Sequence, residues 1–164
     1  MSDPMIRRSV GVEEFPQLIA VWRSAVDATH HFLADEHRDD IESHLAGDYF
    51  PAADLFVAER DGVPVGFAGV GRPDGEAEPD GGQTNAGNSL EMLFIDARAR
   101  GTGVGTALLR HVVDGCGVTA VDVNEQNEQA VEFYLRRGFV VVGRSDEDGQ
   151  GWPYPLLHLR IEEN

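Results

Sequence analysis

The chain contains no lysine: its 13 basic residues are all arginine, set against 29 acidic ones for a formal net charge of −16 over 164 residues. That absence removes one phosphate-binding class, because the G-x-x-x-x-G-K-[ST] loop of nucleoside triphosphatases cannot be made without its lysine. Nucleic acid is disfavoured as a partner, since so acidic a surface repels phosphates, whereas a cationic substrate would be drawn in. Adaptation to a salty cytoplasm or a GC-rich genome would produce the same acidity, and in that case the charge says nothing about substrate. Cysteine is almost absent too. Cys116 stands alone between glycines in "DGCGV", so no disulfide can form within the chain, and a reducing, cytoplasmic setting is expected. It reads as a small buried hydrophobe. No stretch approaches the roughly 20 apolar residues of a membrane span, and "MSDPMIRRSV" lacks the apolar run of a signal peptide, so a soluble protein without a membrane partner is expected. The six histidines are scattered, and no metal site is expected.

What is present reads as one domain over residues 1–164, long enough to bury a core without staples. "PMIRRSV" suits a first strand around Ile6 and Val10, and Phe15, Leu18, Ile19, Val21, Trp22 and Val26 then recur near helical spacing, with Pro16 tolerable only in that helix's first turn. "HFLADEHRDDIESHLAGDYF" reads as a second, polar helix with Phe32, Leu33, Ile41 and Leu45 to pack. Leu55–Ala58 and Val63–Val70 form a hairpin across Asp61 and Gly62. Residues 72–89 carry no periodicity and are rich in Gly, Asp, Glu and Pro, as expected of a long mobile loop within the domain. After it come a strand "LEMLFID", a glycine-rich turn, a helix with Leu108, Leu109, Val112 and Val113 inward, and a strand "VTAVDVN". "NEQAVEFYLRRGF" is a helix capped by Asn127 and stopped at Gly138, and "FVVVGRS" and "YPLLHLRI" are closing strands. Alternation along "LEMLFID" places Glu91, Leu93 and Ile95 on one face and Met92 and Phe94 on the other.

The turn "RGTGVG" carries the chemistry. A helix entered from a strand through glycines offers unpaired N–H groups and a positive dipole end, which together bind phosphate. A dinucleotide fold is one reading, because Asp122 ends a strand about 20 residues later, where a ribose-binding acid would sit. Its fingerprint, however, needs G-x-G-x-x-G, and Thr106 occupies the third slot. Glycines serving only a tight turn would explain one of Gly101, Gly103 and Gly105 better than all three. Taken with Arg100, the pattern is R-x-x-G-x-G, followed at Asn127, Ala130, Tyr134, Gly138 and Phe139 by N-x-x-A-x-x-x-Y-x-x-x-G-F.

With "LFID", "RGTGVGTALL", "VNEQNEQAVEFY" and "GF" in this order, the sequence resembles the GNAT superfamily of acyl-CoA N-acyltransferases, and "DATHHFL" and "PYPLLHL" are similar to its YjaB-type bacterial subgroup. The resemblance implies an α/β fold of the α+β kind: a mostly antiparallel, splayed mixed sheet of about six to seven strands flanked by about four helices. The 72–89 segment departs from the subgroup as an insertion. The implied activity is transfer of an acetyl group from acetyl-CoA, a co-substrate, to a primary amine by direct attack in a ternary complex. A small amine, an aminoglycoside-like polyamine, a protein N-terminus or a protein lysine would each fit, with the subgroup leaning toward lysine or a small amine. A non-catalytic acyl-CoA sensor or partner-binding module is the alternative. The protein is expected as a monomer or homodimer.

By the same resemblance Arg100, Gly101, Gly103, Val104, Gly105 and Thr106 hold the pyrophosphate, and Leu93, Phe94 and Ile95 offer backbone to the pantetheine arm and the oxyanion. Asn127, Ala130, Phe133 and Tyr134 complete the cofactor wall. Tyr134 is the implied acid for the departing thiolate; with a reference pKa of about 10 it still holds its proton at neutral pH. Glu91 is the implied base, helped if partly buried. His30, Phe32, Tyr49 and Tyr154 are placed at the acceptor pocket, with His30 also an alternative base and His31 a helix cap or surface residue.

Overall fold

Asp61 and Gly62 both adopt positive φ, 54° and 80°, as a two-residue type I′ hairpin turn requires, and they join β2 (Asp54–Arg60) to β3 (Val63–Gly71). This hairpin is the middle of a sheet in a computed structural model that describes residues 3–71, 88–148 and 151–161. β1 (Met5–Arg8) pairs with β2, and β4 (Asn88–Ile95) with β3. β5 (Val118–Asn124) runs parallel to β4, and β7 (Leu156–Ile161) and β6 (Phe139–Ser145) complete seven strands in the order β1-β2-β3-β4-β5-β7-β6. All other neighbours are antiparallel.

Four α-helices flank the sheet: α1 (Phe15–Thr29), α2 (Asp35–His44), α3 (Val104–Cys116) and α4 (Glu128–Leu135). α1 buries Phe15, Leu18, Val21, Trp22, Ala25 and Val26, with Pro16 in its first turn. The second helix is shorter than its sequence suggests. Phe32 and Leu33 precede it, Asp35 and Glu36 occupy its first turn, where carboxylates favour the helix dipole, and after His44 the chain widens into a π turn over Leu45–Tyr49.

The period of two along β2 and β3 divides the core. Val57 and Phe67 face α1 and the π turn, packing with Leu18, Trp22, Leu45 and Phe50, while Ala58, Ala68 and Val70 face Val104, Leu108 and Val112 of α3. Val10 lies beyond β1 and is exposed.

β4 departs from expectation in two ways. It starts at Asn88, not Leu90, because Asn88 and Ser89 pair with Val118 and Ala120. Two residues of the expected 72–89 loop are therefore strand, and positions 72–87 lie outside the described residues. Second, Gly69 pairs with Met92 while Val70 pairs with Leu90, which leaves Glu91 as the extra residue of a β-bulge. The bulge interrupts the alternation. Glu91 lies over Gly71, whose added Cβ would fall 2.7 Å from the carboxylate, on the face that carries Met92 and Phe94 and not with Leu93 and Ile95.

The β4–β5 ladder ends at Leu90 opposite Val121, although β4 continues to Ile95 and β5 to Asn124. Past that point the two strands have no partner in each other, and the open wedge between them places the site.

Candidate active site

The glycine turn leads from β4 into α3, and its backbone groups are conspicuous for what they lack. Ala107 makes the first helical bond, donating to the carbonyl of Gly103 at 3.0 Å. Among the described residues, no amide from Gly101 to Thr106 has an acceptor. Six successive N–H groups at the N-terminus of a 13-residue helix form a concave donor surface suited to an anion. The glycines divide the work. Gly101 and Gly103 take φ of 76° and 96°, where a side chain is strained, whereas a Cβ on Gly105 would stand 3.5 Å from the Phe133 ring and 3.7 Å from Ile95, filling space in the wedge.

Arginines hold this turn. Arg60 donates to the Thr102 hydroxyl and carbonyl at 2.8 and 3.0 Å. Arg100 reaches the Gln129 side chain. Arg137 donates to the Thr106 hydroxyl at 2.8 Å and lies over the Phe133 ring at 3.9 Å. The partners of Arg100 and Arg137 are neutral, so in a chain of net charge −16 two full positive charges face the turn.

From here a cavity of about 470 Å³ runs up the wedge. β4 contributes Leu93, Phe94 and Ile95; the turn contributes Arg100, Gly101, Gly103, Gly105 and Thr106; α4 contributes Asn127, Ala130, Phe133 and Tyr134. Thus all the expected cofactor residues line it except Val104, which is 1% exposed and packs into the core, leaving only its backbone to the turn. Asn127 caps α4, its side-chain oxygen accepting from the Ala130 amide at 3.3 Å. Tyr134, between the rings of Phe133 and Phe139, is buried, and burial holds its hydroxyl above the usual tyrosine pKa, so the proton is retained at neutral pH.

A second cavity of about 150 Å³ shares His30, Leu93, Phe94, Asn127, Ala130 and Tyr134 with the first and adds Glu91, Asp122 and Asn124. The two meet at His30 and Tyr134. Burial, with His31 beside it, lowers the His30 pKa to about 4, so the ring is neutral. Glu91 stands at the outer mouth, exposed and hydrogen-bonded by Ser89, so the partial burial expected to favour it as a base is absent. Asp122 is held by His158 at 2.7 Å.

The remaining acceptor-side residues line neither cavity. Phe32 sits between His30 and Tyr154, at 5.2 and 6.0 Å between ring centres. The Tyr154 hydroxyl accepts from the Ala34 amide at 3.1 Å and contacts His37 Nδ1 at 2.6 Å, while His37 stacks on Trp152 at 4.0 Å. Tyr154 is therefore a clasp between the segment before β7 and the start of α2. Tyr49 belongs to the π turn and packs against the α1 side of the core. His31 is exposed.

Sequence reasoning missed Arg137, Gln129, Arg60 and Thr29. Arg137 had a visible signal, since it follows Phe133 by four residues on the helix whose face was already assigned. Gln129, beside Ala130, and Thr29, which lines the larger cavity beside His30, are sequence neighbours of assigned residues but belong to no motif, and Arg60 lies 42 residues from the Thr102 it holds.

Known proteins resemble the chain in both sequence and fold. The model of the Acetyltransferase (GNAT) domain matches residues 51–141. Peptidyl-lysine N-acetyltransferase YjaB of Escherichia coli strain K12 is 44% identical over 156 residues, 94% of each chain. The protein of the same name from Salmonella typhimurium strain LT2 is 43% identical over 154 residues, 94% of this chain and 95% of that one. The solution structure of apo-form YjaB from Escherichia coli matches with a TM-score of 0.80 at 41% identity and covers 100% of both chains.

Proposed function

We propose, from the premise that this chain belongs to the GNAT acetyltransferase family, that it transfers an acetyl group from acetyl-CoA to the side-chain amine of a peptidyl lysine. That it is an N-acetyltransferase follows from its family; the donor, the acceptor and the residue roles are our reading. The observation that carries it is the run of six acceptor-free amides from Gly101 to Thr106, flanked by Arg100 and Arg137, which suits a pyrophosphate.

With the pyrophosphate there, the pantetheine arm extends along the unpaired edge of β4 beyond Leu90, adding to the sheet like a further strand. Ala130 and Gly105 leave width for it, and Phe133 is its apolar wall. The thioester then lies where the two cavities join. A backbone N–H from Leu93–Ile95 stabilises the carbonyl oxygen as it becomes an oxyanion. The Tyr134 hydroxyl gives its proton to the sulfur as the thiolate leaves. The amine enters from the smaller cavity, past Glu91 and Asp122, whose carboxylates favour a cationic side chain on approach. Beyond the turn, Arg110 and Arg136 lie along a further cavity with Arg137 and suit the remaining phosphate of the nucleotide.

The reading is tested by following thiol release from acetyl-CoA with lysine peptides, the same peptides carrying a blocked lysine, N-terminal amines and small amines. Turnover that requires the free lysine amine is expected. Turnover with small amines alone would overturn the lysine assignment, and no release with any acceptor would overturn the transferase reading.

A further inference from the structure

We infer that His30 is the group that accepts the amine's proton during attack, and that Thr29 fixes the tautomer in which it can do so. The inference rests on the acetyl-transfer reading above. It begins with a count of hydrogens. The Thr29 hydroxyl oxygen lies 2.8 Å from the carbonyl oxygen of Ala25 and 2.7 Å from His30 Nδ1. A carbonyl can only accept, so the single hydroxyl hydrogen is spent on Ala25. Thr29 can then meet Nδ1 only as an acceptor. Nδ1 therefore carries the ring hydrogen, and Nε2 carries the lone pair.

That lone pair is placed where it is needed. His30 lines both cavities, on the wall shared with Leu93, Phe94 and Tyr134, and among the described residues its Nε2 has no hydrogen-bond partner. Phe32 and Phe94 flank the ring at 5.2 and 6.3 Å between centres, and among the described residues no carboxylate is bonded to it. The ring stays uncharged, so it does not repel an approaching cation. Glu91, by contrast, is exposed on its bulge at the mouth of the smaller cavity.

The step balances as follows. The lysine ammonium loses one proton to solvent on entry, and the neutral amine donates a hydrogen bond to Nε2, which aims its own lone pair at the thioester carbon. As the C–N bond forms, the nitrogen becomes positive, and Nε2 takes one of its protons to give an imidazolium still donating to Thr29. The oxyanion collapses, the C–S bond breaks, and Tyr134 protonates the sulfur. The imidazolium proton returns to Tyr134 through water. The products are one amide and one thiol, with the entry proton released.

Three measurements on the full chain test this. Long-range nitrogen NMR of the His30 ring should give a pyrrole-like Nδ1 and a pyridine-like Nε2 at pH 7; the opposite pattern overturns the tautomer. Turnover of His30→Gln should fall by about 100-fold with acetyl-CoA affinity retained. That of His30→Ala should be partly restored by added imidazole but not by pyrazole, which has the same shape and is a far weaker base. Thr29→Val should lose about tenfold in kcat at unchanged acetyl-CoA affinity, and Thr29→Ser should recover it. A His30→Gln enzyme within about threefold of wild type sinks the assignment. Wild type measured alongside separates the two readings: no release by wild type defeats acetyl transfer, whereas release unaffected by His30→Gln defeats only the role of His30.

Discussion

One end of the cleft presents backbone amides, and the other presents side chains. The turn from Gly101 to Thr106 offers six amides whose direction is fixed by two glycines in the left-handed region and by the start of α3. The acceptor end has no such frame. His30 closes α1, Phe32 follows it, Tyr154 comes from the segment before β7, and the pieces meet only because an aromatic series from Phe94 to Trp152 holds them together. A backbone site depends on conformation and tolerates change in the surrounding side chains. A side-chain site depends on packing between segments more than 100 residues apart, such as Tyr154 and Ala34, separated by 120. The two ends should therefore fail differently under substitution.

The largest effect is expected where they meet. Tyr134→Phe removes the proton for the leaving thiolate and should lower kcat by about 10²- to 10³-fold while calorimetric affinity for acetyl-CoA stays near wild type. Because burial raises its pKa, Tyr134 keeps its proton to higher pH than an exposed tyrosine. The wild-type rate should therefore show no alkaline decline up to pH about 10, as an initial-rate profile would reveal. At the cofactor end, Gly103→Val puts a β-branched residue at φ 96°. The strain of about 1–3 kcal/mol should weaken acetyl-CoA binding by roughly 5- to 150-fold and leave the amine KM unaltered. Arg100→Gln should cost about tenfold in the same affinity and flatten its dependence on salt.

The acceptor end should give the smallest and differently directed change. Tyr154→Phe leaves the Ala34 amide and His37 without the hydroxyl. It should lower Tm by about 2–4 °C, corresponding to about 1 kcal/mol, and raise the amine KM with acetyl-CoA affinity untouched. A Tyr154→Phe enzyme that binds acetyl-CoA more weakly would break the separation between the two ends.

The same contrast explains what could be read from the sequence. The turn and the wall beside it were legible because their constraints are local: R-x-x-G-x-G opens a helix, and Asn127, Ala130 and Tyr134, spaced to share a face, line one cavity. The hairpin at Asp61–Gly62, the buried stripe of α1 and the Asn127 cap were legible for the same reason. Glu91 was misplaced because period two assumes an unbroken ladder, and nothing in "SLEMLF" announces the extra residue opposite Gly69 and Val70. Tyr154 is held as a clasp by an amide 120 residues away, and the Thr29–His30 pair acquires its meaning only when Ala25 is known to take the hydroxyl hydrogen. Such relations lie in the fold and leave no local mark.

The central claim, that anionic cofactor oxygens dock on the free amides of the turn, is tested most directly by titrating acetyl-CoA into nitrogen-labelled protein and following backbone resonances. The amides of Gly101, Gly103, Val104, Gly105 and Thr106 should move first and furthest, with smaller shifts along Leu93–Ile95. Saturable binding that leaves those amides in place while another surface responds would contradict the account.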